Sequence, residues 1–200
     1  MLDILNAVEK NSQVIDHSTL LNVAIIGCGL IGQKRAKTIC HHPVKNNIQL
    51  CLHTCVDQIK DRAENLAKHF PGTLAATDWQ DAINNPDLHI IIVSTLHASL
   101  AEIALAAAKV GKHLLIEKPA AKHSEELIPI MEIAKETHTL ARVGFNHRYH
   151  RAFRKAKSLI DEGALGELMF IRARYGHGGR VGYDKEWRAN PALSGGGRID

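Results

Sequence analysis

Three glycines and two charged residues carry the chemistry that this sequence advertises. Gly27, Gly29 and Gly32 stand at the spacing G-x-G-x-x-G, directly after the apolar run Val23 to Ile26 and before a stretch with helical pattern. This arrangement holds a dinucleotide. The first glycine permits a tight turn, the second lets the backbone approach a pyrophosphate, and the third lets helix and strand pack closely. The phosphates then sit at unpaired N–H groups and the positive end of a helix dipole, with Cys28, Leu30 and Ile31 lending their backbone to the same cradle. Glycines at this spacing recur by chance in other α/β turns, so the context matters. Asp57 closes the next strand reading, Ile48 to Val56, where a carboxylate accepts hydrogen bonds from an adenosine ribose. A carboxylate there attracts a ribose 2′-hydroxyl and repels a 2′-phosphate, which predicts NAD in preference to NADP. Lys34, Arg35 and Arg62 are the nearby cations that could offset the repulsion.

The second charged residue is Lys118, which precedes Pro119 at the end of the apolar strand His113 to Ile116. A residue before proline is pushed out of the helical region, so Lys118 should stand at the carboxyl end of that strand, the rim where open α/β sheets bind ligands. A lysine there can move a proton or hold a developing alkoxide, whereas a lysine at that place taken alone is more often a solvated end-of-strand residue. Ser94-Thr95-Leu96-His97 ends the preceding strand at the same rim, and its hydroxyls could either reach a ligand or cap the next helix. Asn146, Arg148 and Tyr149 converge on that side from the last strand.

The elements that must position these residues alternate regularly. Strands are predicted near 21–26, 48–56, 72–75, 88–94, 113–117 and 139–145, and helices near 30–41, 59–69, 78–84, 98–110 and 123–137. Short connections between them argue for βαβ units, hence an α/β chain with a Rossmann-like, doubly wound parallel sheet. Residues 1–20 read as an N-terminal extension and 21–145 as the dinucleotide-binding domain. Residues 146–200 read as the beginning of an α+β substrate domain: an amphipathic helix from Arg148 to Ile160, a strand from Glu167 to Tyr175, then a stretch rich in glycine and arginine. One strand cannot bury itself, so this second domain is expected to be incomplete.

Composition narrows the classes. A hydrophobic content of 45% with 23% charged residues is ordinary for a soluble globular chain, and runs such as Ile90 to Val93 are too short to span a bilayer. Met1 to Leu20 carries Asp3, Glu9 and Asp16 and lacks a basic-then-apolar leader, so a cytoplasmic location is expected. The four cysteines, Cys28, Cys40, Cys51 and Cys55, fall on or beside elements read as buried, which suits reduced thiols better than a zinc site. A net charge of +4 without an arginine-rich aromatic tract gives nucleic-acid binding little support.

The residues together resemble the Gfo/Idh/MocA family of NAD(P)-dependent oxidoreductases, named for glucose-fructose oxidoreductase and inositol dehydrogenase. The resemblance runs from about residue 21 to 200. It is carried by Gly27 to Gly32, Val56-Asp57, Ser94 to His97, Glu117-Lys118-Pro119, Gly144 to Tyr149, Trp187-Arg188 and Gly195-Gly196-Gly197-Arg198-Ile199-Asp200. It implies that Lys118 is the active-site lysine, that Thr95, His97, Glu117 and Asn146 touch the cofactor, and that Asp200 opens the catalytic helix. Arg148, Tyr149 and Arg188 would border the substrate. Leu96 departs from the proline common at that place. The family's proton-accepting histidine follows one helical turn after the aspartate that matches Asp200. The implied activity is hydride transfer between nicotinamide and a secondary alcohol of a small-molecule sugar, cyclitol or sugar nucleotide. The arginines at 172, 174, 180 and 188 lean it toward an acidic substrate. A complete version would be a homo-oligomer. The alternatives are a truncated, non-catalytic nucleotide-binding module and a relative that uses NAD for glycoside cleavage.

Overall fold

The computed structural model describes residues 19–41, 47–174, 176 and 181–195. Six parallel strands form one sheet: β1 (Thr19–Ile26), β2 (Ile48–Val56), β3 (Leu74–Ala76), β4 (Ile90–Val93), β5 (His113–Ile116) and β6 (Ala141–Val143). Their order in space is β3-β2-β1-β4-β5-β6. The chain builds outward from β1 to one edge, then crosses back to β4 and builds to the other. The strand order therefore reverses between β1 and β4, which opens the crevice where such sheets bind ligands.

Helices α1 (Leu30–His41), α2 (Lys60–Ala67), α3 (Trp79–Asn84), α4 (His97–Lys109) and α5 (Leu127–Glu136) cover the two faces. The central strand β4 shows why. All four of its residues are buried, and alternation sends Ile90 and Ile92 into a core with Ala36, Ile39, Ala63 and Leu66 of α1 and α2. Ile91 and Val93 point the other way, into a core with Ile83, Leu100, Ile103, Ala104 and Ile130 of α3 to α5. Local signals bound the helices: Asp78 accepts the Gln80 N–H at 2.8 Å to start α3, and Gly111, at φ 77°, follows α4. Among the described residues no helix is long and apolar enough to cross a membrane.

Several sequence expectations shift. β1 begins at Thr19, inside the stretch read as an extension, and β3 lies at Leu74–Ala76. The amphipathic helix of the second part divides into a 3₁₀ turn at Asn146–Tyr149 and α6 (Arg151–Asp161), because His150 caps α6 by accepting the Ala152 N–H at 3.3 Å. No residue of α6 is buried, and Phe153, which should anchor its apolar face, is 58% exposed. The strand expected at Glu167 to Tyr175 is absent: residues 167–174 join no ladder, and Met169, Phe170 and Ile171 are 84%, 81% and 74% exposed. Tyr175 itself lies outside the described residues. A strand exists only through a neighbour that takes its N–H and C=O groups, and among the described residues this segment has none.

Candidate functional site

The carboxyl ends of the strands line up one residue past their paired ladders. Asp57 N–H donates to Ala76 O, Gly27 N–H to Val56 O, Ser94 N–H to Ile26 O, Glu117 N–H to Val93 O and Gly144 N–H to Ile116 O, at 2.8 to 3.2 Å. The sequence candidates Gly27, Asp57 and Glu117 thus share one rim, with Ser94 and Gly144 between and beside them.

The three glycines have different physical reasons. Gly27 sits at φ 98°, and a Cβ there would lie 2.5 Å from Ser94 O. At Gly32 a Cβ would stand 2.0 Å from Gly27 O, so helix and turn meet through the missing side chain. At Gly29, among the described residues, nothing beyond its own chain neighbours lies within 4 Å of that position. Its backbone faces open space at the N-terminus of α1, a helix with no acidic residue in its first turn. That is the geometry a pyrophosphate requires of the second glycine, so the cradle fits a dinucleotide.

Asp57 is wired into this cradle. Its Oδ2 accepts the Cys28 N–H at 2.9 Å and its Oδ1 accepts the Ile59 N–H at 3.0 Å. Each carboxylate oxygen keeps a further lone pair for a ribose diol. Ser94 Oγ donates to Gly27 O at 2.7 Å from the other side of the crevice. The glycine turn is therefore held from β2 and from β4 before any ligand arrives. Cys28 is buried against Val56, and its hydrogen bond with Cys55, followed by burial, pushes its thiol well above the usual range. It stays protonated and contributes its backbone only. Leu30 and Ile31 open α1, their backbone at the same helix end.

At β5, Lys118 is exposed at the rim and joined to Pro119 by a cis peptide bond. Its neighbour Glu117, implied by resemblance to touch the cofactor, gives its Oε1 to Arg35 on α1, with Nε at 2.6 Å and Nη2 also bonded. Arg35 is thereby committed to Glu117 and is removed from the cations that could offset the Asp57 charge. Thr95 Oγ1 accepts the Ser99 hydroxyl at 2.9 Å, whereas Leu96 stands at the start of α4 and no side chain caps that helix. His97 turns elsewhere: it is 4% exposed, its Nδ1 lies 2.9 Å from Ser194 O, and its ring meets Trp187 edge-on at 4.7 Å.

Asn146, Arg148 and Tyr149 all lie in the exposed 3₁₀ turn after β6. Arg188 lies over Trp187 at 4.6 Å and pairs with Glu186 at 3.2 Å, so its charge already has a partner and argues less for an acidic substrate. Arg180 and Asp200 lie outside the described residues. His147 and His150 gather about Phe153 at 6.2 and 6.0 Å. Gly144, part of the motif that carried the resemblance, leaves space that a Cβ would fill at 3.1 Å from Glu117. Lys122, which carried no sequence signal, donates its Nζ to Ala192 O at 3.2 Å, away from the glycine cradle. Among the described residues no group of three His, Cys, Asp or Glu side chains is arranged to hold a metal ion.

The family described as "Oxidoreductase family, NAD-binding Rossmann fold" matches residues 21–145, and the GFO/IDH/MocA C-terminal domain matches residues 153–200. Levoglucosan dehydrogenase of Pseudarthrobacter phenanthrenivorans is 30% identical over 174 residues, which cover 86% of this chain and 43% of that protein. The scyllo-inositol 2-dehydrogenase (NAD(+)) of Bacillus subtilis is 28% identical over 150 residues, 74% of this chain and 42% of that one. A solved levoglucosan dehydrogenase in complex with NADH and levoglucosan superposes with a TM-score of 0.80 at 27% identity, covering 91% of this chain and 50% of the other. The chain spans less than half the length of these two curated relatives. With its glycine cradle, reversed strand order and rim residues in place, the chain belongs to the Gfo/Idh/MocA family of NAD-binding Rossmann-fold oxidoreductases.

Proposed function

We propose that this chain binds NAD across the β1/β4 crevice and that, within the complete family architecture, it serves an NAD-dependent dehydrogenase acting on a secondary alcohol of a sugar or cyclitol. The observation that carries this is the Cys28 N–H bond to Asp57 beside the open face of Gly29. It fixes a carboxylate at the end of β2 next to a cradle for two phosphates. Backbone groups of Gly27 to Gly32 would hold the pyrophosphate, Asp57 the adenosine ribose, and Thr95 and Asn146 the nicotinamide end. Bound NAD would supply the hydride acceptor.

Lys118 is assigned the substrate oxygen. Its ammonium stabilises negative charge as the alcohol proton departs, and exposure at the rim lets it reach a ligand lying over the sheet. Asp200, by resemblance, orients the proton acceptor. Arg148, Tyr149 and Arg188 are assigned to the substrate side. The names of the relatives, levoglucosan and inositol dehydrogenases, favour neutral polyhydroxylated rings over acidic ones. We further assign residues 21–145 to dinucleotide binding and the segment from 146 onward to the substrate side.

Titration calorimetry with both cofactors tests the reading. NAD should bind at least tenfold more tightly than NADP, and Asp57→Ala should remove most of the difference. Tighter binding of NADP, or no binding of either, overturns it.

A further inference from the structure

The segment Trp187 to Gly195 lies across the first domain as a short strap, and its contacts are unusual for so brief a piece of chain. Helix α7 (Pro191–Ser194) has only four residues, too few to satisfy its own carbonyls. Pro191 O takes the Gly195 N–H at 2.8 Å, with Gly195 in the left-handed region at φ 83°. The carbonyls of Ala192 and Ser194 are taken by side chains from elsewhere: Lys122 Nζ reaches Ala192 O at 3.2 Å, and His97 Nδ1–H reaches Ser194 O at 2.9 Å.

The two donors come from different loops of the same rim. His97 opens α4, four residues past the end of β4, and Lys122 lies three residues beyond Pro119 past β5. His97 and Ser194 are 4% and 0% exposed, and Trp187 closes edge-on over the histidine at an interplanar angle of 86°. Arg188 travels with the strap, held by the face of Trp187 and by Glu186. Here Nδ1 is directed at a protein carbonyl and the ring is packed under an indole.

We infer that His97 and Lys122 are positioning residues, a two-point latch that holds the Trp187–Gly195 strap against the rim of the dinucleotide site. Through this bond His97 acts on the strap. This rests on the reading of that rim as the NAD site. The latch sets where the second part of the chain meets the first. Arg188, assigned to the substrate, is delivered by the same strap.

Two measurements on the full chain test the latch. The first is amide hydrogen exchange of residues 187–195 in otherwise unaltered protein. The second is fluorescence of Trp187 in a Trp79→Phe background, where it is the sole tryptophan. His97→Ala should raise exchange in the strap at least tenfold, shift Trp187 emission to the red and increase its quenching by acrylamide. His97→Asn, whose side-chain amide can donate from about the same place as Nδ1, should restore part of the protection. Lys122→Met should loosen the strap by itself and leave the NAD dissociation constant within about twofold. A strap whose exchange is the same in His97→Ala as in wild type overturns the latch, as does weakened NAD binding in that variant without a change at 187–195. Failure of the wild-type chain to bind NAD would instead refute the cofactor reading and leave the exchange data to decide the latch.

Discussion

Arg35 on α1 and Glu117 past β5 form an ion pair that ties the helix of the glycine cradle to the residue beside Lys118. The side chains are 24% and 13% exposed, and both guanidinium contacts converge on one carboxylate oxygen. Gly144 leaves them room: a Cβ there would lie 3.1 Å from Glu117 Oε2 and 3.2 Å from Arg35 Nη2. The ends of β5 and β6 are thereby brought together with helix α1. A shift of α1 on ligand binding would be felt at Glu117 and, through one peptide bond, at Lys118.

Removing one partner of this pair should cost more than removing both. Arg35→Gln leaves a largely buried carboxylate without its cation, which for a pair of this partial exposure should destabilise by about 1–3 kcal/mol. Adding Glu117→Gln should recover part of the loss. Urea denaturation of the wild type, both single variants and the double variant measures the coupling. A coupling below about 0.3 kcal/mol would show that the pair does not hold the rim.

Gly29 and Gly32 should separate ligand binding from folding. Gly29→Ala places its methyl in open space, so the melting temperature should hardly move while NAD affinity falls by tenfold or more. Gly32→Ala drives its methyl to 2.0 Å from Gly27 O, a backbone atom that cannot step aside, so it should destabilise by about 1–3 kcal/mol or prevent folding. Thermal melts and NAD titration of the two variants give the answer. Equal loss of affinity without any loss of stability in Gly32→Ala would contradict the packing role.

The amino ends of the strands, opposite the site, carry a pH dependence. His113 Nδ1 accepts the Leu140 N–H and His89 Nδ1 accepts the Asn22 N–H, each at 3.1 Å, so both rings are held in the neutral form. Burial pushes both below their ordinary value of 6.5. The other ring adds to the effect on His113, and Lys112 adds to it on His89 while Asp87 opposes it. The unfolded chain therefore binds more protons between 6.5 and the folded values. Stability is fully present above about 6.5 and is lost as pH falls through that window. Denaturation midpoints between pH 7.5 and 5 should fall with a slope of up to two protons. His113→Asn, which keeps an acceptor but cannot titrate, should lower that slope toward one.

Much of the fold was legible because it is written in local repetition. The alternation of β-branched runs with helical stretches, the spacing of Gly27, Gly29 and Gly32, and the apolar side of α4 each depend on residues close in sequence, and the parallel sheet follows from them. The family, too, was carried by short motifs. What the sequence could not decide was which partner each polar side chain takes. Resemblance gave Glu117 and His97 as cofactor contacts, and it did not give their partners within the chain: Glu117 pairs with Arg35, 82 residues earlier, and His97 with Ser194, 97 residues later. Hydrogen bonds of that separation depend on how α1 and the strap lie against the sheet, and no local periodicity records it. The strand expected from Glu167 onward is absent over the described residues 167–174 for the same reason. Its β-propensity is real, but a strand is a relationship between two segments, and only the tertiary arrangement determines whether the second is there.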